Sequence, residues 1–177
     1  GAANLEIVYS GTDSEFDQFA NGSGLSTIRA LQDGTMIGLT QFVNGVDVID
    51  GDGHAGVTIQ GANTWDGLLD FSRTVVEDIA LVRGGDKYET IVGSDFSALT
   101  VESGGGDDVI RAGDGDLTLV FSGNDGSFDE LINGSGRTSI VAQSDGTVIG
   151  LQRYENGADT IDGAGHAGVT IQGANTW

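Results

Sequence analysis

The chain has 177 residues, 38% of them hydrophobic, with 31 glycines, no proline and no cysteine. Its 27 acidic residues against seven basic ones give a formal charge of −20, which argues against nucleic acid, whose phosphates need basic partners, and against anionic membrane surfaces. The lack of cysteine excludes a disulfide framework and thiolate metal sites, and no apolar run approaches the roughly 18 residues of a membrane span. Two readings of the charge stay open here: cation binding, and plain repulsion that keeps molecules apart in solution.

From the N-terminus, short apolar or threonine-rich segments recur every nine to twelve residues or so. They centre near Ile7, Phe19, Ile28, Ile37, Ile49, Ile59, Leu69, Leu81, Ile91, Val101, Ile110, Leu119, Leu131, Ile140, Ile149, Ile161 and Ile171. Most are bounded by turn formers such as Asp33-Gly34, Asn44-Gly45, Asp50-Gly51-Asp52-Gly53 and Gly84-Gly85-Asp86, residues that accept tight or left-handed backbone. Their valines, isoleucines and threonines suit a pleated, half-buried surface. Helical periodicity is nearly absent. The best helix candidate, Leu68 to Leu81, contains Thr74-Val75-Val76, which reads equally well as strand.

A longer repeat overlies this rhythm. His54 to Trp65 recurs unchanged as His166 to Trp177, an offset of 112 residues, and the similarity reaches back to Leu5 and its counterpart Leu117. About 38 of the 61 aligned positions are identical. We read residues 1–177 as a single segment with about one and a half copies of a 112-residue tandem repeat, 5–116 and a partial copy 117–177. Such self-similarity points to an array in a longer parent chain, in which targeting and anchoring signals would lie elsewhere.

Two all-β architectures fit. One is a parallel β-roll or β-helix solenoid, in which each coil stacks its apolar residue on the one below. The other is an antiparallel β-sandwich repeat of adhesin type. The glycine load, the short strands and the phrase seen at Val48-Ile49-Asp50-Gly51, Thr58-Ile59-Gln60-Gly61, Thr90-Ile91-Val92-Gly93 and Thr160-Ile161-Asp162-Gly163 favour the solenoid.

With two strands per coil, the turns before Ile91, Ile110 and Leu131 fall on one edge. Glu89, Asp108 and Asp129 then stack at spacings of 19 and 21 residues. The opposite edge carries Leu99, Leu117, Thr138 and Asp159, too apolar for a cation ladder. The richest turn is Ser103-Gly104-Gly105-Gly106-Asp107-Asp108-Val109-Ile110-Arg111. It resembles the nonapeptide G-G-x-G-x-D-x-U-x of the RTX, or hemolysin-type, calcium-binding repeat family, with Ser103 in place of the first glycine. The next nonapeptide, Ala112 to Val120, departs from the pattern, because Leu117 stands where the ligating aspartate belongs. The resemblance implies a right-handed parallel β-roll, a hand that crossover chirality also favours. It also implies Ca²⁺ held by hard oxygen ligands: the carboxylates of Glu89, Asp108 and Asp129 with backbone carbonyls of Gly104 and Gly106.

Other features carry less chemistry. His54 and His166 are copies in glycine-rich turns without a second histidine or cysteine nearby, and read as turn residues. Trp65 and Trp177 read as packing residues, with sugar stacking as the alternative. The sequons at Asn21 and Asn133 arise from Asn-Gly turns. No G-x-S-x-G, H-E-x-x-H or phosphate loop is present. The expectation is therefore a non-enzymatic structural segment of a bacterial secreted or cell-surface protein. It would be Ca²⁺-stabilised, act as an extended scaffold or adhesin stalk, and have calcium ions and neighbouring repeats of its parent chain as partners. It would bind no nucleic acid and insert into no membrane. Two alternatives are a carbohydrate-binding adhesin module on a cell-surface glycan and a β-helical polysaccharide lyase or epimerase.

Overall fold

The computed structural model describes residues 3–12, 15–20, 22–124, 126–153 and 157–174. Among the described residues the only regular elements are short strands, and every strand pair is parallel. The sandwich alternative is thereby overturned, since hairpin-linked strands would run antiparallel. The chain winds into a solenoid of about eight coils.

The first coil carries β1 (Leu5–Tyr9) and β2 (Asp17–Gln18), the second β3 (Ser26–Ala30) and β4 (Met36–Val43). The next two coils have three strands each: β5 (Val48–Asp50), β6 (Thr58–Gly61) and β7 (Gly67–Asp70), then β8 (Val75–Glu77), β9 (Leu81–Arg83) and β10 (Glu89–Val92). Four two-strand coils follow: β11 (Leu99–Glu102) with β12 (Val109–Arg111), β13 (Leu117–Phe121) with β14 (Asp129–Ile132), β15 (Thr138–Ala142) with β16 (Val148–Arg153), and β17 (Thr160–Asp162) with β18 (Thr170–Gly173). The segment considered for a helix holds β7, β8 and the start of β9 instead.

Three parallel ladders run along the axis. The first is β1-β3-β5-β8; the second runs from β2 and β4 through β6, β9, β11, β13 and β15 to β17; the third runs from the end of β4 through β7, β10, β12, β14 and β16 to β18. Register aligns the apolar column, as in Ile7↔Ile28↔Ile49 and Leu119↔Ile140↔Ile161. Alternate residues point inward, so a β6 or β10 pattern of half-buried and buried positions follows from the two-residue pleat. Ile28, Ile49, Ile59, Ile91, Ile110 and Ile140 are all fully buried in one continuous core. Phe42, near the end of β4, and Phe71, just after β7, are fully buried and stacked with ring centroids 5.0 Å apart.

Candidate metal centre

The edge between the second and third ladders brings together the three predicted carboxylates. Glu89 opens β10 and Asp129 opens β14, while Asp108 immediately precedes β12. The pairings Thr90↔Val109 and Val109↔Glu130 set them one above another. The Glu89 N–H donates to Asp108 Oδ1 at 2.7 Å, and the Asp108 N–H donates to Asp129 Oδ1 at 3.0 Å. All three residues are at most 1% exposed.

The far oxygens of the column differ. Asp129 Oδ2 accepts the Ser103 hydroxyl at 2.7 Å, and Glu89 Oε2 accepts the Gly85 N–H at 3.1 Å. Glu89 Oε1 and Asp108 Oδ2 are buried without a hydrogen-bond partner. An unpaired buried charge is costly, and the ionisation behaviour follows. Burial pushes the Asp108 carboxyl up to about 9, helped by the neighbouring charges of Asp129, Glu89 and Asp107. Burial likewise raises Glu89 to about 7, against the lowering effect of the Gly85 N–H.

Glycines make room for this column. A Cβ at Gly67, which pairs with Glu89, would lie 2.8 Å from Glu89 Cγ, and one at Gly85 would lie 2.8 Å from its Oε1. Gly104 and Gly106 hold φ of 99° and 107°, where side chains are strained. A Cβ at Gly104 would collide with the Gly85 carbonyl oxygen, and one at Gly106 would lie 2.6 Å from the Lys87 carbonyl. These two predicted residues therefore let one turn lie directly on the next. The Gly105 N–H donates to the Gly85 carbonyl at 3.0 Å.

A calcium ion takes about six to eight hard oxygen ligands, of which the column offers two unpartnered carboxylate oxygens. Among the described residues, however, no three acidic or imidazole side chains are grouped so as to hold a metal ion. The oxygens of the column that could hold a cation are Glu89 Oε1 and Asp108 Oδ2. A proton on each of the two groups is the competing way to satisfy the same oxygens.

The opposite edge follows the sequence expectation. Leu99, Leu117 and Thr138 stack in register and are buried, and Asp159 accepts the Thr138 N–H at 2.7 Å. Asp17, the repeat counterpart of Asp129, lies in the first coil and is exposed, because burial comes from the coils stacked on a turn. Ser103 was missed by reading the nonapeptide as glycine with one error. That departure supplies the hydroxyl that holds Asp129.

The two histidines behave alike. His54 Nδ1 lies 3.2 Å from Asp33 Oδ1, and His166 Nδ1 lies 3.2 Å from Asp145 Oδ1. Both are exposed or half-buried turn pairs, and among the described residues neither belongs to a group of three side chains that could hold a metal. Trp65 is 72% exposed, with the Lys87 ammonium 5.0 Å from its ring centre, so it does not pack a coil. Asn21 and Trp177 lie outside the described residues. Comparison with protein-family models, curated proteins and solved structures gave no match.

Proposed function

We propose that this chain is a structural tandem-repeat segment of a bacterial extracellular or cell-surface protein: an extended acidic scaffold or adhesin stalk, stabilised by Ca²⁺. The observation that carries the reading is the column of Glu89, Asp108 and Asp129 inside a continuous parallel stack, with two buried oxygens left unpartnered. A cation there would neutralise carboxylates that otherwise resist ionisation, and so link cation binding to coil stacking. The partners in this reading are calcium ions and neighbouring repeats. A charge of −20 disfavours nucleic acid, and no catalytic role is assigned.

The test is a circular-dichroism melt with EDTA, repeated in a Ca²⁺ titration with Mg²⁺ as control. A melting temperature that rises with Ca²⁺ and not with Mg²⁺, and whose rise is lost in Asp108→Ala, supports the reading. A melt unmoved by Ca²⁺ removes the calcium part.

One observation favours a second reading, a carbohydrate-binding module. Exposed Trp65 borders a groove of about 440 Å³ with Lys87, Tyr88 and Asp107. Glycan pull-down abolished by Trp65→Ala would support it.

A further inference from the structure

The 112-residue repeat does not return each strand to its own ladder. Strands β1, β3 and β5 belong to the first ladder, yet their sequence counterparts β13, β15 and β17 belong to the second. Strands β2, β4 and β6 pair within the second ladder, while their counterparts β14, β16 and β18 form part of the third. The shift arises in the two three-strand coils. There the third ladder, begun at the end of β4, gains its first full strand at β7, and the first ladder stops at β8. Each repeat thus carries the same sequence one face further around a three-sided stack.

The far end of the stack is an apolar surface with a known complement. Ile171 is 59% exposed, and with Leu151, Ile161 and Ala174 it borders a cleft of about 310 Å³. Its counterpart Ile59 is fully buried, in a strand of the same sequence, Thr-Ile-Gln-Gly. What covers Ile59 is β9, through the pairs Thr58↔Leu81, Ile59↔Val82 and Gln60↔Arg83. The Gln60 side chain then donates to the Gly84 carbonyl at 2.8 Å.

We infer that the repeat is a face-rotating module, and that the end formed by β17 and β18 is the docking surface for a coil like residues 66–83, supplied by a further copy of the repeat. That coil pairs its β8 counterpart with β17 and its β9 counterpart with β18. Its β7 counterpart lies on the side that the first ladder vacates after β8. Three repeats would then return the sequence to its starting face. The inference rests on the tandem-repeat part of the proposed function and is independent of calcium.

The test appends a second copy of residues 66–116 after Trp177. Cysteines are placed by Gln172→Cys and at the appended counterpart of Arg83, in a chain with no other thiol. Neighbouring parallel strands lie within disulfide reach. The control is Gln60→Cys with Arg83→Cys in the 177-residue chain. Loss of both free thiols on mild oxidation, in monomeric protein, is the expected result in both. A second measurement uses Ile171→Asp, expected to leave the melting temperature of the 177-residue chain nearly unchanged and to lower that of the extended chain. A locked control with free thiols in the extended chain overturns the inference. So does an Ile171→Asp effect of equal size in both chains. Either failure would leave the calcium titration of the 177-residue chain untouched.

Discussion

Replacing Asp108 by Asn separates a protonated buried acid from an ionised one. In the metal-free chain, burial holds Asp108 near 9 and Glu89 near 7, above their ordinary values of 3.8 and 4.5. The unfolded chain ionises both at the ordinary values. Between the two limits the folded state keeps a proton that the unfolded state has lost, so stability falls as pH rises, by about 1.4 kcal/mol per pH unit per group. The contribution is fully present below the ordinary carboxylate range. It declines with both groups up to about 7, and with Asp108 alone up to about 9. For a chain of this size that slope is roughly 3–6 °C of melting temperature per pH unit per group. Asp108→Asn keeps an acceptor for the Glu89 N–H and is neutral in both states. Melts in EDTA from pH 5 to 9 should show about half the wild-type slope below pH 7 and little of it above. General repulsion among the other acids also weakens the fold as pH rises, but the difference between the two proteins cancels most of it. Equal slopes in wild type and Asp108→Asn would refute the assignment of a protonated Asp108.

If a cation takes the free oxygens of Glu89 and Asp108, it must displace their protons. Calorimetric Ca²⁺ titration at pH 7 in two buffers of different ionisation enthalpy should then give different apparent heats, and equal heats would show that no proton leaves. Ile59→Ala should cost about 2–5 kcal/mol in urea denaturation, whereas Ile171→Ala, in the same sequence but 59% exposed, should stay within about 0.5 kcal/mol. Similar costs would contradict the different stacking of the two copies. Gly104→Ala must absorb both a φ of 99° and a clash with the Gly85 carbonyl. It should lower the melting temperature well beyond Gly53→Ala, whose site, at φ 73° with open space around it, carries only the ~1–3 kcal/mol of backbone strain.

Much of this fold was legible because stacking and sequence share one period. The spacings of 19 and 21 residues placed Glu89, Asp108 and Asp129 in one column, and the structure pairs their strands in that register. Ile91 and Ile110 aligned for the same reason. The reading failed where two strands per coil became three. Val75–Glu77 forms a strand of its own, and the buried residue of the next strand, β9, is Val82 rather than Leu81. The apolar and turn residues that mark a strand do not mark how many strands share a coil. The face shift between copies was hidden for the same reason. Identical sequence determines strand and turn, while the ladder a strand joins depends on the coil already beneath it.

The acidic surface has a structural explanation that composition could not give. A coil corner leaves turn N–H groups pointing along the axis, with no strand partner. Carboxylates of the adjacent coil accept many of them: Asp33 from Ala55 at 3.0 Å, Asp95 from Asp114 at 3.0 Å, Asp107 from Phe128 at 2.8 Å and Asp116 from Arg137 at 2.8 Å. The second copy repeats the first, with Asp145 accepting the Ala167 N–H at 3.0 Å, and this bond together with His166 lowers the Asp145 carboxyl below its ordinary range. A side-chain acceptor for an orphan N–H is the same device that caps a helix. It works best when the acceptor is charged. Acids are therefore repeated coil by coil because each coil has corners to close, and the high negative charge accumulates as a by-product. At exposed corners, water screens that charge. Within the buried column, Glu89 Oε1 and Asp108 Oδ2 have no protein partner, and a proton or a cation would complete them. Cation sensitivity should accordingly be confined to that edge: Asp95→Asn and Asp116→Asn should leave any Ca²⁺-induced rise in melting temperature intact, while Asp108→Asn should remove it.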